Sequence, residues 1–454
     1  MGVPFSVLKP MHPRCPDPSL EFVAQTISNS FRVPSLDVAD HRRFSRVGLI
    51  GNMNNNNFAI LRYLRDLGLD ADLLLFENEI GHFQPECDTW SPSKWQPFIR
   101  HLSFGNNPRH LFLRSSRAIA RDLAPYGKLL GCGLAPALAA RGGRTLEVFY
   151  PYSPGVEYVD AWWMRELLHG KGWLKRAFYR HVRKRQQAAI LRARHCTNLD
   201  LDGRTQSVLA AMGRSSQRIG IPMVYNLENP EENSLPATLR ILGADIRRHR
   251  FVVLSHARNQ WVRGSELTDS DWRLANKNNH FLLEGFAEFL RQSGEESALL
   301  VLFKYGRDVA HSRRRIAELG LSESVKWLPL SPRREIAYLM RKADVGVGEF
   351  IAEGIWGGTG WETLAAGRPL IQRVNYSAQS FPDQTGLPLP PICHAENAQG
   401  VARQLFDLWK DVERRLKIGR NSEEWFCQHQ GLALAKRYAE LLVGSDSDSD
   451  PKAS

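Results

Sequence analysis

No apolar run in these 454 residues reaches the roughly 20 residues that a membrane-spanning helix needs. The opening MGVPFSVLKPMHPRCPDPS has no basic head followed by an apolar core, so no secretory leader is expected there. The six cysteines (Cys15, Cys87, Cys132, Cys196, Cys393, Cys427) stand apart, with no CxxC pair. That spacing argues against a disulfide frame or a zinc site and for reduced thiols in a cytoplasmic protein. No Asp-x-Asp pair stands at a convincing strand end; Asp269 and Asp271 lie in a polar Ser/Thr/Asp stretch that reads as loop. No metal site is expected. No nucleic-acid module is visible, and no nucleic-acid partner is expected. Acidic residues are the minority, 48 against 60 basic ones, for a net charge of +12. That balance favours anionic partners, namely phosphates, acidic lipid head groups or nucleic acid, and charge alone does not separate them.

The chain is long enough for two sizeable cores. Residues 1–44 are Pro-rich, weakly patterned and read as an N-terminal extension. From Arg46 the pattern sharpens. Val47 to Ile50 is a short apolar strand, Gly51 to Asn57 a polar turn, Phe58 to Leu67 has helical periodicity, and Ala71 to Phe76 is a second strand. Strand, turn, helix, strand argues for a parallel α/β sheet. Open α/β proteins place ligands at the carboxyl ends of strands. Gly51 and Asn52 are therefore candidates to face a cleft, although the asparagine run also reads as a plain helix cap. Glu79 and His82, after the second strand, are candidate acceptor-side contacts; a lone histidine is as readily structural. The expected division is a Rossmann-like domain over 45–240, a second over 241–420, helices over 421–443 with room to pack back on the first domain, and a disordered Asp/Ser tail over 444–454.

Residues 161–195 carry ten Lys or Arg residues with Glu166 as the one acid, interleaved with Trp162, Trp163, Trp173, Phe178 and Tyr179. Basic residues and aromatics at helical spacing suit an anionic membrane surface. The plainer reading is a solvated basic face over an ordinary apolar stripe.

Glycines crowd one turn near the C-terminus, at Gly357, Gly358 and Gly360, and a helix-forming run is expected from about Glu362 to Gly367. Glycines let backbone approach a ligand, and a helix start offers free N–H groups to an anion. A structural glycine turn would look the same. What surrounds this turn adds to it. Phe251–Leu254, Lys277 with the helical run behind it, Ala298–Gly306, Leu319–Pro329 and Ala343–Gly348 follow one another in order.

Together these segments resemble the family-4 glycosyltransferases of the GT-B fold, over most of 251–442 and more loosely from Arg46. The resemblance implies an α/β fold with two Rossmann-like domains facing across a cleft. It implies a retaining glycosyltransferase that takes a UDP- or GDP-linked sugar as substrate, needs no further cofactor, and serves a glycan or lipid-linked acceptor in cell-envelope polysaccharide synthesis. The setting would be the cytoplasm, peripheral to the inner face of the membrane. Donor contacts would come from Gly357, Gly358, Thr359, Gly360, Lys304, Gly51, Asn52 and Glu362, the last on the ribose. Lys277 and Arg258 would neutralise the departing diphosphate. The family carries two glutamates with seven residues between them; here Gly354 stands at the first position, and Glu353, one residue out of register, is the catalytic candidate. The alternative is a degenerate protein that binds nucleotide sugar or membrane as a scaffold. A sugar-nucleotide epimerase would require a denser set of acid/base carboxylates near the loop.

Overall fold

The computed structural model describes residues 46–152, 156, 158–199, 203–264, 272–273, 275–351 and 357–444. The N-terminal extension and the Asp/Ser tail from residue 445 onward lie outside the described residues.

Strands β1 (Val47–Ile50), β2 (Ala71–Leu75), β3 (Ile99–His101), β4 (Lys128–Gly131), β5 (Val148–Phe149) and β6 (His195–Cys196) form one sheet in the order β3-β2-β1-β4-β5-β6, every pair parallel. Strands β7 (Phe251–Ser255), β8 (Ala298–Phe303), β9 (Val325–Leu328), β10 (Val345–Val347), β11 (Leu370–Gln372) and β12 (Ile392–His394) form a second, ordered β12-β11-β10-β7-β8-β9 and also parallel. Counted from its own first strand, each sheet runs 3-2-1-4-5-6, the Rossmann order. The order reverses between β1 and β4 and again between β7 and β10, which sets a ligand crevice at the carboxyl ends of those pairs. The strand sequences explain the parallel arrangement. VGLI, FVVLS and ALLVLF are buried along their whole length, as strands covered by helices on both faces must be.

The helices that matter here are α1 (Asn56–Asp66), α2 (Trp173–Arg192), α3 (Ala237–Arg247), α4 (Arg333–Lys342), α5 (Gly358–Ala365), α6 (Val412–His429) and α7 (Gly431–Val443). On α2, Val182, Gln186, Ala189 and Ile190 make the inner stripe. Its buried Gln186 donates to the Gly133 carbonyl at 2.7 Å and accepts from the Ala137 amide at 3.3 Å, so the one polar group on that stripe is satisfied.

The boundaries expected at 240 and 420 fall inside α3 and α6. Leu239 and Ile246 of α3 pack with Val252, Leu254 and Phe303 of the second half. Trp425 of α6 stacks on Trp361 of α5 with ring centroids 6.0 Å apart. The chain therefore crosses to the second half along the extended stretch 221–231 and returns at Gln430–Gly431. Beyond the return, Leu434, Tyr438 and Leu442 of α7 join the core of Val47, Leu49 and Phe58 under the first sheet. The buried Tyr438 hydroxyl donates to the Gly220 carbonyl at 2.9 Å and lies 3.1 Å from Thr197 Oγ1.

Candidate functional site

Helix α5 begins at Gly358, a full turn earlier than the expected start near Glu362. The helix packs closely on the strands beneath it. A Cβ on Gly346 of β10 would lie 2.3 Å from Thr363 Cγ2, so only glycine lets the helix approach. The helix thus starts at the carboxyl end of β10, beside the β7/β10 reversal. Gly357 and Gly358 are part-exposed at this start. Thr359 and Gly360 are buried in the first turn, and the Thr359 carbonyl accepts from Thr363 Oγ1 at 2.8 Å. Glu353 and Gly354 lie outside the described residues.

Lys277 reaches the same helix start from the other side. Its Nζ donates to Glu349 Oε2 at 2.7 Å. That carboxylate rests on Gly357, where a Cβ would lie 2.9 Å from Glu349 Oε2. A cation and a helix N-terminus therefore meet on one anionic group, the environment a phosphate requires. Arg258, after β7, is exposed and donates from Nε and Nη2 to the Tyr305 hydroxyl at 3.2 and 2.9 Å. Lys304, after β8, is exposed and has no carboxylate partner among the described residues.

Glu362 sits on the second turn of α5, buried and already paired. Arg333 Nε donates to its Oε1 at 2.6 Å, and its Oε2 faces His256 Nε2 in an ion pair. Burial alone would raise this carboxyl's pKa, but the charges of His256 and Arg333 outweigh it and hold the value at about 2. His256 Nδ1 is buried with no hydrogen-bond partner. Neither His256 nor Arg333 was expected here. His256 had a signal, since it directly follows β7 at the reversal point. Arg333 had none, because its partners come from segments distant in the chain. Its Nη1 donates to the carbonyls of Asn54 at 3.0 Å and Met223 at 2.9 Å. Asp88 stands 3.9 Å away and also pairs with the buried Arg62 of α1.

On the first sheet, the β1–α1 turn is a braced network. Gly51 has φ +79°, and a Cβ there would lie 2.5 Å from Phe76 Cε2, so the turn requires glycine. Asn54 and Asn55 also take positive φ, +52° and +58°, which asparagine tolerates better than most residues. Asn52 is fully buried. Its side chain donates to Asn55 Oδ1 at 2.8 Å and the Phe83 carbonyl at 2.5 Å, and accepts from the Phe58 amide at 2.9 Å. The side chain is engaged in shaping the loop, and its bond from the Phe58 amide satisfies a donor in the first turn of α1. Glu79 belongs to the same brace, its Oε2 accepting from the Asn52 amide at 3.0 Å. Burial raises the Glu79 pKa, and the backbone N–H groups of Phe76 and Asn52 offset part of that. His82 is exposed, and its carbonyl accepts from Asn55 Nδ2 at 3.1 Å. The acceptor-side candidates and the Gly51–Asn52 turn are thus one structure, while Lys277, Arg258, Lys304 and Glu362 gather on the second sheet.

The basic segment forms α2 behind a break at Gly170 and Gly172. The side chains of Trp162 and Trp163 lie outside the described residues. Trp173 is 75% and Leu174 66% exposed at the start of α2. Lys175, Arg180 and Lys184 are exposed, and no carboxylate pairs with them among the described residues. No helix among the described residues is long and apolar enough to cross a membrane.

No family model and no curated protein matches the chain. Solved structures do. HepE of Anabaena, in complex with UDP and glucose, aligns with a TM-score of 0.55 at 14% identity, covering 88% of this chain and 100% of that one. The N-terminal domain of Candida albicans trehalose-6-phosphate phosphatase aligns at 0.53 and 12% identity, covering 88% and 96%. A putative UDP-N-acetylglucosamine 2-epimerase from Listeria monocytogenes aligns at 0.51 and 12%, covering 89% and 97%. At such identities the likeness establishes the fold, which is GT-B with two Rossmann-like domains.

Proposed function

We propose that this GT-B chain is a retaining glycosyltransferase that moves a sugar from a UDP- or GDP-linked donor to a glycan or lipid-linked acceptor in cell-envelope polysaccharide synthesis. One observation carries the reading. Lys277 and the start of α5 converge on a single carboxylate, Glu349, at the carboxyl end of β10, with Glu362 one turn further along the same helix. A donor diphosphate would take the place of that carboxylate, and Glu362 would accept from a ribose hydroxyl. HepE, of similar fold, is described in complex with UDP-glucose, which supports this ligand class by analogy of fold.

In the reaction the bond from the anomeric carbon to the diphosphate oxygen breaks, and a bond from that carbon to the acceptor oxygen forms on the same face. The acceptor hydroxyl gives up its proton to the departing diphosphate. Negative charge grows on the departing diphosphate, where Lys277, Arg258 and the N–H groups at Gly357 and Gly358 would stabilise it without a metal. Lys304 would lie beside the nucleotide, and Gly51, at the turn of β1, would face the transferred sugar. Glu353 would stand in for the family glutamate at Gly354. Glu79 and His82 would meet the acceptor. The protein would work in the cytoplasm, peripheral to the inner face of the membrane, with Trp173, Leu174 and the unpaired cations of α2 against acidic head groups.

The competing reading, a scaffold that binds nucleotide sugar without turning it over, draws on Gly354 standing where the family has a glutamate. One experiment separates the two. The protein is incubated with UDP- and GDP-sugars, with and without lipid-linked acceptors, and free nucleotide is measured. Release of UDP or GDP supports the enzyme; binding of a nucleotide sugar with no release in any combination supports the scaffold.

A further inference from the structure

Arg333 bridges the candidate donor helix, the β1–α1 turn and the crossing stretch at once. From its place at the start of α4 it donates to Glu362 Oε1 on α5, to the Asn54 carbonyl on the first sheet's turn, and to the Met223 carbonyl in the crossing stretch. Its side chain is 17% exposed. Asn54 presents its carbonyl from a left-handed backbone, a conformation that persists only where the surroundings enforce it. Here Asn52, Asn55 and Glu79 enforce it through the network already described. Planar, multi-donor guanidinium geometry is what holds a carboxylate and two carbonyls together; an ammonium point charge does not reproduce it.

We propose that Arg333 is a positioning residue that holds Glu362 ready for a ligand hydroxyl while the Asn54 turn and the Met223 stretch are seated against it. The seating of the first half thereby sets nucleotide affinity in the second. The inference rests on the donor reading given above. The charged and titratable groups around this pair are His256 after β7, Arg333 on α4, and Asp88, Tyr152 and Arg62 behind Arg333.

The test compares wild type, Arg333→Gln and Arg333→Lys in the full chain. Folding is expected to survive, because Glu362 keeps His256 and Asp88 keeps Arg62. Binding of UDP, GDP and ADP is measured by calorimetry from pH 5 to 8. Arg333→Gln should weaken binding about tenfold at neutral pH, the scale of one charge-assisted hydrogen bond, and lose more as pH falls, because the buried carboxylate has lost the guanidinium beside it. Arg333→Lys should restore the pH profile of wild type without restoring its affinity. Affinity within twofold of wild type at every pH in Arg333→Gln overturns the proposal. If wild type binds none of the nucleotides, the donor reading itself fails. Small-angle scattering without ligand then decides the seating by itself: a larger radius of gyration in Arg333→Gln supports it, and superimposable curves overturn it.

Discussion

Glu349 and Lys277 form an ion pair of 2.7 Å directly in front of the first turn of α5. The carboxylate occupies the place where an incoming phosphate would gain most, so the protein carries its own competing anion. Glu349→Gln removes that competitor and leaves the lysine and the N–H groups in place. Nucleoside diphosphates should bind several-fold more tightly to this variant in calorimetry. Lys277→Ala should act in the opposite direction and mainly on turnover, by about 2–4 kcal/mol, since the charge it meets grows in the transition state. Weaker nucleotide binding in Glu349→Gln would mean that this carboxylate helps to build the site.

Glu362 should leave a signature in acid unfolding. Its folded pKa, about 2, lies below its ordinary 4.5. A depressed carboxylate contributes stability that is complete above the unfolded value and is lost as pH falls through the folded one. The contribution, on the order of 3 kcal/mol, should therefore be full above about pH 4.5 and gone near pH 2. Urea midpoints measured from pH 6 to pH 2 should fall less steeply in Glu362→Gln than in wild type. Glu362→Ala is the poorer probe of ligand binding. It leaves the part-buried Arg333 without this carboxylate and so mixes a loss of stability with any loss of binding.

How much of this was legible in the sequence depends on how local the determinants are. Strands β7 and β8 were visible because FVVLS and ALLVLF are continuous apolar runs, and the β1 turn was visible because glycine and asparagine mark turns. Lys277, Gly357 and Gly358 stand out in the sequence because they stand at ends of recognisable elements. The close seating of α5 on β10 is not legible, because it depends on Gly346, twelve residues before the helix, having no side chain. The same is true of Arg333, whose partners lie 29 and 279 residues away. The side-chain partners of Asn52 at Phe83 and Phe58 are not legible either, because they follow from the packing of one loop on another.

Tyr438→Phe tests the return of the last helix. The change deletes one hydroxyl and leaves the Gly220 carbonyl and Thr197 without that partner inside the core. Loss of a buried hydrogen bond in this way costs about 1–3 kcal/mol. Denaturant unfolding should report that loss. A midpoint equal to that of wild type would show that α7 is held by apolar contacts alone.

The surface of α2 makes a separate prediction. Changing Lys175, Arg180 and Lys184 to Glu should release the protein from vesicles containing acidic lipids, and Trp173→Ser with Leu174→Ser should weaken binding even at low salt. Wild-type binding should fall steeply with salt, since exposed charges are screened beyond roughly 8 Å at physiological ionic strength. Equal sedimentation of wild type and the charge-reversed variant with such vesicles would remove the membrane role of this face.

The chain passes between the two sheets twice, along 221–231 and at Gln430–Gly431. One tether would leave the halves free to swing and twist like beads on a thread. Two tethers define a line, and turning about that line is the only large displacement that stretches neither of them. We expect relative motion of the halves to be a rotation about that line. One distance, measured between two probes on opposite lips of the crevice, would follow that rotation.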